Sequence, residues 1–129
     1  ALAGFIEAII NAKTASDALN AALNEVIHLH FNKQHPGGCM VVLSLLESDQ
    51  HDAKTKKMLD SALRRLRNTI VQRLELCQKN NEIKPEINCR IVGNQVTALI
   101  TGMITLAKAG FSRKELEELA HSSTDSLLR

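Results

Sequence analysis

Apolar residues recur every three or four positions along almost the whole chain, and no β-branched run alternates with period two for more than a few residues. That spacing is the period of a helix with one face turned to a core, and it excludes a sheet as the organising element. An all-α bundle of five to six helices follows. At 129 residues the chain has the size of one domain with one core, so residues 1–129 are read as a single unit.

Local signals place the helices. The first runs from Ala1 to about Ala12 and is apolar on several sides. Thr14 caps the second, with Asp17 three residues on where a capping-box acid sits, and the helix continues to about Gln34. His35-Pro36-Gly37-Gly38 stops it, and a short buried helix, Cys39 to Leu46, comes next. Asp49 to Asp52 supplies carboxylates for the start of a long helix reaching about Asn81, roughly 45 Å at 1.5 Å per residue. Its stripe of Leu59, Leu63, Leu66, Ile70, Leu74 and Cys77 marks it as the spine of the domain. Asn88 caps a further helix that lasts to Lys108, and Gly110 closes it. Ser112 and Glu115 then form a capping box, with Phe111 and Leu116 at the two positions of a hydrophobic staple.

Several function classes fall away on composition. A net charge of +2 with both signs interspersed, and no Trp or Tyr, gives neither a basic face nor a stacking platform for nucleic acid. Cys39, Cys77 and Cys89 are odd in number and far apart, which favours reduced thiols in a cytoplasm over a disulfide framework. The uncharged stretch from Ile91 to Ala107 is broken by Asn94, Gln95 and three threonines and is shorter than the ~20 residues of a membrane span. The chain opens on Ala1 and passes directly into a helical pattern, so it reads as a piece that starts in or just before a helix.

The helix faces carry the candidate sites. Steps of 100° put Leu19, Leu23, Val26 and His30 on one stripe of the second helix, with Phe31 beside it and His28 on the solvated side. His30 is then either a core histidine or a polar group lining a pocket. Arg73 falls within the stripe of Leu66, Ile70 and Cys77, where it either snorkels outward to a partner or fixes an acidic ligand. The helix after Asn88 is apolar over about two-thirds of its circumference, the remaining strip being Arg90, Asn94, Thr97, Thr101 and Lys108. Such small neutral groups suit a face buried against a ligand or a partner helix. The last helix presents Leu116, Leu119, Ala120, Ser123 and Leu127, whose small members admit a second helix closely. Together the last two helices carry more apolar surface than one copy covers, so a four-helix interface with a second copy is expected. Val92, Val96, Leu99 and Met103 are its candidates on the first of the pair.

Catalysis finds little support. The sequences Glu25 to His28 and Glu118 to His121 have the spacing of di-metal ligands in helical bundles, but both point away from their apolar stripes. His35 and Cys39 are separated by a glycine turn and lack an orienting acid. No phosphate loop, dinucleotide fingerprint or nucleophile elbow is present. Neither an enzyme, a metal site nor a cofactor is expected.

Four segments in order, G-G-C-M-V-V at 37–42, the acid-rich 49–52, N-E-I-K-P-E-I-N at 81–88 and A-K-A-G-F-S-R-K-E-L at 107–116, give the chain a further likeness. In pattern it resembles the C-terminal regulatory domain of TetR-family bacterial transcriptional repressors. The resemblance implies a cytoplasmic homodimer that binds a small, mostly apolar effector. Operator DNA would be met only through an N-terminal helix-turn-helix module that these residues do not contain, and the first helix would link the two halves. The effector cavity would lie among the second helix, the Cys39 segment, the long helix and the polar strip of the next. His30, Phe31, Cys39, Leu43 and Leu66 are the lining candidates from the first three, with Ile70 and Arg73. Asn94, Thr97 and Thr101 complete the set, though the direction of their strip is open. Two other readings stand beside this one: an interaction bundle without ligand, and a di-metal bundle.

Overall fold

The computed structural model describes residues 2–32 and 53–129, and among these it contains five helices and no strand. They are α1 (Leu2–Asn11), α2 (Ala15–Phe31), α3 (Ala53–Lys79), α4 (Cys89–Lys108) and α5 (Arg113–Leu127). The expected Cys39 helix, the His35 to Gly38 stop and the Asp49 to Asp52 start lie outside the described residues.

Helix ends follow their local chemistry. Thr14 Oγ1 accepts from the Asp17 N–H at 3.0 Å, and Asn88 Oδ1 accepts from the Ile91 N–H at 3.1 Å. The full reciprocal box forms at α5, where Ser112 Oγ accepts from the Glu115 N–H and Glu115 Oε1 from the Ser112 N–H. That backbone bond holds the Glu115 carboxyl below its ordinary range. Gly110, with φ 106, closes α4 in the left-handed region, and the Phe111 N–H reaches back to the Leu106 carbonyl. Asn81, with φ 63, does the same after α3, where the Glu82 N–H reaches the Cys77 carbonyl. The α2 helix ends at Phe31 rather than Gln34, capped by the Asn32 N–H on the His28 carbonyl.

The 27-residue α3 is the longest helix, about 40 Å, yet it is not the spine. That role falls to α2, which packs against all four other helices. Its Leu19, Leu23 and Val26 are wholly buried, and Ala22 and Ile27 broaden the buried face. The α3 helix contributes Leu66, Ile70, Leu74 and Cys77 to the core, while Leu59 and Leu63, toward its start, are only half-buried. Where α3 meets α4 the two backbones come close: a Cβ on Gly93 would stand 2.5 Å from Val71 Cγ2.

One side chain fixes the α3–α4 connection. Gln78 Nε2 donates to the Lys84 and Ile87 carbonyls, both at 2.9 Å, and its Oε1 accepts from Cys89 Sγ at 3.5 Å. Gln78→Ala leaves those carbonyls short of a donor and is expected to lower the unfolding free energy by about 1–3 kcal/mol. Chemical denaturation reads it, and an unchanged midpoint would mean that the loop holds itself.

Candidate functional site

An apolar cavity of about 50 Å³ lies between α1, α3 and α4. Leu2 and Phe5 of α1 form one wall, Leu59, Ala62, Leu63 and Leu66 of α3 the second, and Ile100, Thr101 and Ile104 of α4 the third. The amphipathic periods of three helices converge here, at the end of the bundle where α1 begins. Among the described residues Thr101 is the one polar member of the lining, and its hydroxyl donates back to the Ala98 carbonyl of its own helix at 2.8 Å. The described wall therefore directs no charge and no free donor inward, and a charged group placed against it would go unpaired.

Two of the sequence candidates, Leu66 and Thr101, meet in this wall. Ile70 is buried in the core a turn beyond Leu66. Thr97 bonds the Gly93 carbonyl at 2.8 Å, and Asn94 is exposed, so the strip on α4 runs from solvent into the cavity edge. His30 is exposed instead of lying within an apolar face. A stripe direction fixes the side of a helix, not how far along it a neighbour reaches, and His30 stands in the last turn of α2. It meets Phe31 edge-on at 4.7 Å, and the Arg113 guanidinium covers the Phe31 ring at 4.9 Å. Neither ring borders the cavity. Cys39 and Leu43 lie outside the described residues. Leu2, Phe5, Ala62, Ile100 and Ile104 were not among the candidates, and Leu59 and Leu63 were read only as core stripe; α1 in particular carries no polar residue that singles it out as a wall.

Arg73 turns away from the cavity. Its NH2 donates to the Ala12 carbonyl, at the α1–α2 turn, at 2.6 Å across 61 positions of sequence. Its Nε is buried and meets no acceptor among the described residues, the kind of orphaned donor that costs about 1–3 kcal/mol.

The residues expected to face a second copy divide. Val92, Val96 and Ala120 are buried within the chain itself, while Met103 and Leu116, buried as well, form part of the lining of grooves on α4 and α5. Leu99, Leu119, Ser123 and Leu127 are half-buried. The apolar surface left on α4 and α5 is offset around the helix. An open groove of about 220 Å³ runs over Ala98, Leu99, Gly102, Met103, Leu106 and Leu119, and a second, sharing Leu106 and Leu119, runs over Phe111, Glu115, Leu116, Glu118 and Ser122. Around α4 the sequence showed an apolar arc too wide to say which third faces inward.

The pairs read as possible metal ligands do not converge. His28, Glu118 and His121 are exposed, and the Glu25 carboxylate lies over Gly4 of α1. Cys77 and Cys89 are buried free thiols. Burial raises both above the ordinary thiol value, with Glu82 adding to the rise at Cys77 and Glu75 at Cys89, which makes them poor nucleophiles.

Comparison with known proteins decides the family. The model of the tetracyclin repressor-like, C-terminal domain matches residues 15–122. The chain belongs to that family. The TetR-like domain also shares its fold with a solved protein described as a TetR transcriptional regulator from Rhodococcus sp. RHA1. The two superpose with a TM-score of 0.79 at 22% identity, over 96% of this chain and 66% of that one. The TetR-like chain thus spans a little under two-thirds of that regulator. No curated protein matches the sequence. Among the described residues of this TetR-like domain no helix is long and apolar enough to cross a membrane.

Proposed function

We propose that this TetR-like domain is the effector-sensing and dimerising part of a transcriptional repressor, and that its effector is small, apolar and uncharged. The observation that carries this is the cavity between α1, α3 and α4, walled by hydrocarbon on three sides with Thr101 as the single polar member among the described residues. At about 50 Å³ it is well below the ~150 Å³ that admits a benzene-sized guest. An effector must therefore part the walls, and α1 is the wall to move: it is the shortest of the three helices and contributes only Leu2 and Phe5 to the lining. Displacement of α1 is how occupancy would reach a DNA-reading segment joined to it, lowering DNA affinity by the difference in effector affinity between the two states. A second copy would dock on the Ala98, Gly102 and Leu119 groove.

A thermal-shift series with indole, naphthalene and their carboxylated analogues tests the cavity. Saturating neutral guests are expected to raise the melting temperature by several degrees, about 2.7 kcal/mol at a hundredfold excess over Kd, and the charged analogues to do less. Ala62→Phe fills the space and should remove the response. A response that survives Ala62→Phe would locate the effector elsewhere.

A further inference from the structure

We propose a second ligand site in this domain, an open groove where the end of α1 meets the middle of α3, that takes an amphiphilic carboxylate. The groove has a volume of about 400 Å³ and is lined by Ile10, Thr69, Gln72, Arg73 and Leu76. Its two apolar members are unusually bare: Ile10 is 61% and Leu76 49% exposed, among the few large hydrophobic side chains left in water. The same groove is bordered by a guanidinium that is incompletely used. Arg73 gives one donor to the Ala12 carbonyl, while its Nε–H is buried and meets no acceptor among the described residues.

These features ask for one kind of occupant. A carboxylate can take two parallel N–H bonds from the two terminal nitrogens of an arginine, an end-on fork that leaves the buried Nε aside and that a neutral carbonyl such as that of Ala12 cannot complete. An alkyl or aryl body of modest length would then lie over Ile10 and Leu76 and remove both from water. The Thr69 hydroxyl donates to the Arg65 carbonyl and adds no competing charge, and Gln72 stands exposed at the rim. A carboxylate on Arg73 also competes with the Ala12 carbonyl for the same guanidinium. Occupancy therefore loosens the turn between α1 and α2, whereas the cavity ligand acts on the opposite end of α1.

Decanoate, held below its micelle concentration, is the probe, and calorimetry with the intact chain is the readout. Decanoate is expected to bind at least about tenfold more tightly than decan-1-ol. Leu76→Glu and Ile10→Glu, both at positions open to water and each checked by its melting curve, are expected to weaken it at least about tenfold. Arg73→Lys, which keeps the charge and loses the fork, should weaken it as well. Ala62→Phe, which fills the central cavity, should leave decanoate binding unchanged, so failure of the cavity and failure of the groove are told apart. The groove is overturned if decanoate fails to bind at millimolar concentration, if the alcohol binds equally well, or if binding survives Leu76→Glu and is lost in Ala62→Phe.

Discussion

Leu23→Ala is expected to lower the unfolding free energy by about 2–5 kcal/mol, a large share of the 5–15 kcal/mol typical of a domain this size. Leu23 is wholly buried on the helix that touches every other described helix, so the space left by its truncation has no mobile neighbour to collapse into it. The companion substitution Leu59→Ala, on the longer α3 but half-buried beside an existing cavity, should cost under half as much. Urea denaturation of the two variants reads the difference. Equal costs would return the role of spine to α3.

Under the pairing proposed above, Gly102→Arg is expected to halve the mass in solution while leaving the chain as stable as before. A Cβ built on Gly102 meets nothing within 4 Å among the described residues, which leaves room for the side chain in the folded monomer. Replacing a glycine inside a helix even favours the fold, by up to about 1 kcal/mol. A second copy seated on the Ala98, Leu99 and Leu119 groove would meet that arginine directly, and its bulk and the cost of desolvating its charge would hold the two surfaces apart. Light scattering at micromolar concentration gives the mass, and a melting curve gives the stability. A dimeric Gly102→Arg variant would move the contact to another face.

What the sequence showed well is what is decided locally. The caps at Thr14, Asn88 and Ser112 and the left-handed Gly110 depend on residues within one turn of each other, and all four stand where they were expected. So does the core stripe from Leu66 to Cys77. Less legible was anything that depends on how far a neighbour extends. Arg73 was placed on an inward face, but its partner Ala12 is 61 residues away and offers only a backbone carbonyl, which no sequence pattern marks. The cavity needs three helices to converge, and four of its nine lining residues, Leu2, Phe5, Ile100 and Ile104, are hydrophobic residues like any others in the core. Which side of α4 is left for a partner was not legible because the helix is apolar over too wide an arc: Val92 and Val96 face inward, while Ala98 and Gly102 face out.

Gly93 and Gly102 lie nine residues apart on α4, which is half a revolution, so one glycine faces α3 and the other faces open space. Two separate selections are therefore legible on one helix. In a saturation library scored for folding, position 93 should accept little beyond glycine unless Val71 shrinks, while position 102 should accept almost anything. Scored instead for pairing of copies, position 102 should become as restrictive as position 93. The tolerance map of a single helix would then separate what the chain needs to fold from what it needs to assemble.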